Sequence, residues 1–115
     1  MNRIIYNEKT FFGEVTTEII ADGYGFVMVT VMDSNKEVGL IHDLCVHKTR
    51  RGEGLGRVLL EDACKIAGEM GAKVARLSVK SGSWLEEWYK RHGFVGSEKI
   101  KEIANHVLME KPCEK

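Results

Sequence analysis

The residues best suited to chemistry are three alternating glycines in the run Arg51-Gly52-Glu53-Gly54-Leu55-Gly56. Glycines at this spacing let the backbone approach a ligand closely, and their N–H groups can converge on an anion. A helix opening at the loop would add about half a positive charge at its N-terminus. Two common phosphate loops do not fit. The dinucleotide fingerprint is G-x-G-x-x-G, whereas the spacing here is G-x-G-x-G, with Arg57 where the last glycine would stand. A P-loop ends in Gly-Lys-Ser or Gly-Lys-Thr, and neither triplet occurs. Lys48, Arg50, Arg51 and Arg57 supply positive charge around the loop.

Just upstream lie His42, Asp43, Cys45 and His47. Asp43, Cys45 and His47 alternate, so a regular strand would point all three the same way, like one corner of a metal site. One strand cannot complete a tetrahedral site, and no second ligand pair returns elsewhere, so no metal is expected. Cys45 as a nucleophile would need an activating partner, and none is evident. Trp84 and Trp88, four residues apart, are expected to pack inward.

These residues need elements to position them. Glu14 to Ile20, Tyr24 to Met32 and Glu37 to Val46 read as three strands, with turns at Asp22-Gly23 and Asp33-Ser34-Asn35-Lys36. The short links imply an antiparallel meander, and Arg3 to Tyr6 is a candidate for one more short strand. Beyond the glycine loop, Leu59, Ala63, Ile66, Ala67 and Met70 recur on one face of a 3.6-residue period, and Gly71 is placed to cap that helix. Val74 to Val79 reads as a strand. Ser83-Trp84-Leu85-Glu86 has the form of a capping box, so a second helix should run from there to about His92. Phe94 to Glu98 and Asn105 to Glu110 read as two closing strands. The order gives a mixed α+β fold: one mostly antiparallel sheet with two packed helices. The strand–helix–strand crossover makes 37–46 and 74–79 parallel.

Composition sets the outer bounds. A chain of 115 residues fits one domain spanning 1–115, and 43% hydrophobic with 30% charged residues suits a globular protein. No apolar run approaches the ~20 residues of a membrane span, and Met1-Asn2-Arg3 does not begin a signal peptide, so no membrane partner is expected. Cys45, Cys64 and Cys113 show no paired spacing, which points to a reducing, cytoplasmic setting. The net charge is zero, which argues against a dedicated nucleic-acid binder. The charge is split, however: residues 1–47 carry −4 and residues 48–115 carry +4. Such a split suits a protein that holds an anion with its second half and meets a cation with its first.

The glycine run resembles the pyrophosphate loop of the GNAT family of N-acetyltransferases, whose signature is Gln/Arg-x-x-Gly-x-Gly/Ala. The approach through Leu44-Cys45-Val46-His47 is similar to that family's L-x-V-x-P-x-x-R-G-x-G, with Lys48 in place of the proline. Trp88-Tyr89-Lys90-Arg91-His92-Gly93-Phe94 resembles its Y-x-x-x-G-F block. The two blocks span residues 37–98 at the family's separation. The N-terminal half departs: most members carry two helices there that cover the acceptor pocket, and no helical pattern precedes residue 54.

The resemblance implies a GNAT-like sheet whose parallel strands splay to admit acetyl-CoA. It gives the pyrophosphate to the loop Arg51, Gly52, Glu53, Gly54, Leu55 and Gly56, with Arg57 adding charge. The pantetheine amides fall to the backbone of Leu44, Cys45 and Val46. Tyr89 stands where the family has the acid that protonates the departing thiolate. The position of Leu40 carries a glutamate base in histone-acetylating relatives, and leucine cannot do that work. His42 stands where polyamine-acetylating relatives have a glutamate. Asp43 beside it faces the other side of a regular strand, an alternation that a bulge, common in this strand of the family, would break. The choice of base between them is open. The expected activity is direct transfer of acetyl from acetyl-CoA to a primary amine, on a small cationic molecule or on a protein or peptide. A homodimer would close the uncovered acceptor side. The alternatives are a non-catalytic acyl-CoA-binding module and a nucleotide-binding interaction domain.

Overall fold

The computed structural model describes residues 2–11, 13–96 and 105–113. In chain order the elements are β1 (Asn2–Thr10), β2 (Gly13–Asp22), β3 (Gly25–Met32), β4 (Asn35–Val46), α1 (Leu55–Glu69), β5 (Val74–Lys80), α2 (Trp84–Arg91), β6 (Val95–Gly96) and β7 (His106–Pro112). A single 3-10 turn at Lys48–Arg50 precedes the glycine loop. The strands make one seven-stranded sheet in the order β1-β2-β3-β4-β5-β7-β6. The described pairs are antiparallel except β4 with β5. This is the mixed sheet with two helices expected from the sequence.

Two segments differ from expectation. The first strand is nine residues long, pairing with β2 from Asn2↔Ala21 to Thr10↔Gly13. Its polar second half, Asn7-Glu8-Lys9, carries no strand pattern of its own and is extended by its partner. At the other end, Val95–Gly96 forms β6. Ser97 and Glu98, the rest of that expected strand, lie outside the described residues.

The apolar stripe of α1 buries Leu59, Leu60, Ala63, Ile66 and Ala67 and packs on β3 and β4. A Cβ at Gly39 would fall 2.7 Å from the Ala67 Cβ. Glycine at that point of β4 lets the helix lie close. Gly71, at φ +100°, ends α1 as anticipated. Its N–H donates to the Gly68 carbonyl and that of Ala72 to the Ala67 carbonyl, each at 3.0 Å, the two bonds of a Schellman cap.

Register sorts the side chains into two faces. Ile20 opposes Val27, Val29 opposes Ile41, and Leu77 opposes Met109; all six belong to one core with the helices. Glu18 shares that face at 1% exposure, its carboxylate held by the Arg3 guanidinium at 2.7 Å. Arg3 also reaches Glu69 of α1 at 3.3 Å, so the ion pair ties β1, β2 and α1 together. The alternate positions, among them Tyr6, Thr17, Thr30, Leu40 and His42, face the other way. Among the described residues no helix covers that face.

Candidate active site

β4 and β5 pair only at Val38↔Val74, Gly39↔Ala75 and Leu40↔Arg76. Beyond that point they part, while β4 runs on to Val46 and β5 to Lys80. Each strand keeps its outer neighbour, β3 or β7, so the two facing edges bear unpaired backbone groups. An extended ligand carrying amides could pair there as an added strand. Leu44, Cys45 and Val46 lie on this stretch of β4, and it leads toward the glycine loop.

Gly54 is the N-cap of α1 with φ +80° and ψ 8°, and Gly52 has φ +86°. A Cβ at either would meet nothing within 4 Å. Backbone conformation, not crowding, therefore demands glycine at both. Gly56 is already helical, and a Cβ there would meet the Trp88 ring at an ordinary 3.6 Å. No side chain caps α1. Its first-turn N–H groups therefore have no side-chain partner, and the helix dipole favours an anion there.

The cations around the loop are partly committed. Arg51 Nε donates to the Val46 carbonyl at 3.1 Å, tying the loop back to the end of β4. Arg50 Nε bonds the Glu53 carboxylate at 2.8 Å, and its guanidinium lies 3.7 Å from the centre of the Tyr24 ring. Arg57 faces Glu61 at 3.7 Å on the exposed side of α1. Leu55, half-buried, begins the helix.

The spacing Tyr89-x-x-x-Gly93-Phe94 has a local cause. α2 ends in a second Schellman cap, with Gly93 at φ +91°. The Phe94 N–H donates to the Tyr89 carbonyl at 3.1 Å, and the Gly93 N–H to the Lys90 carbonyl at 3.1 Å. Lys111 Nζ takes the His92 carbonyl at 2.9 Å. The apolar contact that accompanies this cap is here Tyr89 against Phe94, ring centres 5.7 Å apart. Tyr89 is therefore fixed by the helix stop that follows it. It is 8% exposed, and burial pushes its phenol above the usual tyrosine range. It stays protonated at neutral pH, as a proton donor must.

At the other end of α2, the Ser83 hydroxyl accepts from the Glu86 N–H at 3.4 Å. The Glu86 carboxylate reaches the Gly82 N–H at 2.8 Å, because the Ser83 N–H already serves the Lys80 carbonyl. That bond to Gly82, and then Lys90, hold the Glu86 carboxyl below its ordinary value. Trp88 packs against Gly56 as expected, but Trp84 does not pack inward. At 72% exposure it opens the helix, on a side that the Leu85, Trp88 and Tyr89 stripe leaves to solvent.

The largest departure is on β4. Met28 opposes His42, yet Phe26 opposes Cys45, so Asp43 and Leu44 together face the single residue Val27. This is a β-bulge, and Asp43 carries it in the left-handed region at φ +57°. Strict alternation would turn Asp43 away from His42; the bulge brings its Oδ2 to 3.3 Å from His42 Nδ1. His42 Nε2 lies 2.7 Å from Thr30 Oγ1, and Thr30 Oγ1 lies 3.0 Å from Thr17 Oγ1. The bulge also ends the common face of Asp43, Cys45 and His47. His47 Nδ1 instead bonds the Thr49 hydroxyl at 2.7 Å. Among the described residues no three His, Cys, Asp or Glu side chains are placed to hold a metal ion.

Neither threonine stands out in the sequence. The turn at Asp22-Gly23 does contain the signal for half of the arrangement, since closing it at Asp22↔Gly25 brings Thr17 opposite Thr30. His42 joins them only through the register of β3 with β4. His42 and Tyr89 lie on opposite faces of the sheet, and no described hydrogen bond joins them. The acidic excess of the first half is dispersed: Glu18 pairs with Arg3, Asp33 with Lys36 and Glu37 with Lys73. Asp43 remains beside His42, 63% exposed. A cavity of about 350 Å³ between Glu14, Met32, Lys36 and Met70 lies at the far end of the sheet, away from the loop.

A family profile described as "Acetyltransferase (GNAT) domain" matches residues 7–96. A protein of Archaeoglobus fulgidus described as an uncharacterized N-acetyltransferase is 40% identical over 74 residues, which are 58% of this chain and 48% of that protein. The match thus spans about half the length of that curated relative. Nourseothricin acetyltransferase has a similar structure, with a TM-score of 0.66 and 21% identity, over 97% of this chain and 85% of its own. PaiA N-acetyltransferase from Thermoplasma acidophilum, solved with coenzyme A, gives 0.66 and 21% over 85% and 59%. At these identities the structural likeness is one of fold. The profile covers well over half of the residues, including the splayed strands and the uncapped glycine loop, and the chain belongs to the GNAT acetyltransferase family.

Proposed function

We propose that this protein transfers acetyl from acetyl-CoA to a primary amine, directly and within a ternary complex. The observation that carries this reading is the parting of β4 and β5 after Leu40 and Arg76, continued by a glycine loop whose helix has no side-chain cap. The loop N–H groups from Arg51 to Gly56 hold the pyrophosphate, and the edge of β4 at Leu44, Cys45 and Val46, where Arg51 also holds the Val46 carbonyl, pairs with the pantetheine amides. His42 takes a proton from the amine. The amine nitrogen then bonds to the acetyl carbon, the carbon–sulfur bond breaks, and Tyr89 gives its proton to the thiolate. The second proton that the nitrogen sheds on becoming an amide passes to water, from which Tyr89 is reprotonated. No metal takes part in these steps.

The exposed carboxylate of Asp43 favours a cationic acceptor, whether a small amine or a lysine or N-terminal amine on a protein. Cys45, Cys64 and Cys113 form no disulfide among the described residues, which fits a reducing compartment such as the cytoplasm. The uncovered sheet face fits closure by a second copy, and light scattering on the samples below should show a homodimer; a monomer rejects that part.

Calorimetric titration with acetyl-CoA, using ATP as the control phosphate ligand, tests the reading. The expected result is micromolar acetyl-CoA binding, weaker ATP binding, and release of free CoA thiol only when an amine is added. A folded sample that ignores acetyl-CoA rejects the cleft. Binding without release to any amine in a broad panel supports the non-catalytic acyl-CoA module, for which leucine at position 40 argues.

A further inference from the structure

The side chains around His42 form a chain with one consistent direction. An ionised carboxylate can only accept hydrogen bonds, so the Asp43 contact at 3.3 Å places a proton on His42 Nδ1. In the neutral imidazole, the form that acts as a base, Nε2 then carries the lone pair, and the Thr30 hydroxyl 2.7 Å away must donate to it. With its proton so used, the Thr30 oxygen accepts from Thr17 at 3.0 Å. Thr17 is 7% exposed, so little water competes for its hydroxyl. Each partner fixes the next: Thr17 to Thr30 to His42 to Asp43. The basic nitrogen of His42 is therefore already covered, and the group covering it is a hydroxyl that can pass a proton on.

We propose that His42 withdraws the acceptor's proton through the Thr30 hydroxyl, with Thr17 and Asp43 as positioning residues that hold the chain in this direction. This rests on the transferase reading above and adds to it how the base is reached. The amine gives a proton to Thr30 Oγ1 while the proton of Thr30 moves to His42 Nε2. The nitrogen regains its lone pair and Thr30 ends as a hydroxyl again. The positive charge moves from the amine to the imidazole, where the Asp43 carboxylate faces it. The bulge at Asp43 is what makes this work, since a regular strand would leave Nδ1 without its acceptor.

The first test needs no substrate. In nitrogen-15 spectra of the wild-type protein, the ring signals that vanish in His42→Asn should report the Nδ1–H tautomer. In Thr30→Val the Nε2–H form should gain population. A wild-type His42 in the Nε2–H form overturns the proposal. In the second test, Thr30→Val should lower kcat about 10²-fold, within the range for a positioned proton-transfer group. Its affinity for acetyl-CoA should stay at the wild-type value, and Thr30→Ser should restore most of the lost turnover. A Thr30→Val enzyme as fast as wild type, or faster, shows that the hydroxyl only caps the imidazole, and the relay is wrong. A wild-type protein that transfers nothing to any amine rejects the transferase reading, and the relay with it, whatever the tautomer.

Discussion

Tyr89→Phe should lower turnover by about 10²- to 10⁴-fold, the range for a positioned general acid, while acetyl-CoA binding stays within about twofold, less than 0.5 kcal/mol. Phenylalanine keeps the ring, which packs between Trp88 and Phe94, so the cap of α2 and the core beneath it are retained. Only the hydroxyl is lost. The sign of the pH dependence follows from burial, which raises the phenol above its ordinary value. The protonated form is the donor, so its population is complete through neutral pH and declines only beyond the usual tyrosine range near ~10. An alkaline fall in wild-type kcat that is missing from Tyr89→Phe would identify the group. Turnover by Tyr89→Phe equal to wild type would remove Tyr89 from the reaction and leave it as a packing residue.

Gly54→Val should lower acetyl-CoA affinity by on the order of 100-fold, about 2.7 kcal/mol. At φ +80° a β-branched residue is strained, by roughly 1–3 kcal/mol. There is open space around the position, with nothing within 4 Å of a Cβ, so the substitution does not disturb the core. The loop relieves the strain by changing conformation, and its N–H groups then no longer converge on one anion. Calorimetry measures the affinity, and a thermal melt close to wild type would show that the fold survives. Unchanged affinity in a folded Gly54→Val protein would move the pyrophosphate away from this loop.

The two motifs were readable as sequence because each is a local backbone device. The glycine loop needs left-handed conformations at Gly52 and Gly54, and those depend on the residues themselves. Tyr89-x-x-x-Gly93-Phe94 is a helix stop written in three residues, with tyrosine and phenylalanine in the contact that completes it. The helix spans, the meander and the parallel pair follow similarly from apolar period and turn residues. Trp84 is exposed against expectation because the helical period identifies an apolar stripe without saying how far around the helix the core extends.

Composition and spacing were sufficient for the sheet, its two helices and a glycine loop at a helix start, since these arise from interactions within a few residues or from one repeating pattern. Tertiary structure decided where β4 and β5 part, because that depends on how far two strands remain in register across a crossover. It also decided what surrounds His42. Thr17, Thr30 and Asp43 come from three strands, and they meet the imidazole only because a single extra residue in β4 turns Asp43 back toward its neighbour. A one-residue change of register reverses which side chains share a face, and no pattern in residues 37–46 marks where that residue falls.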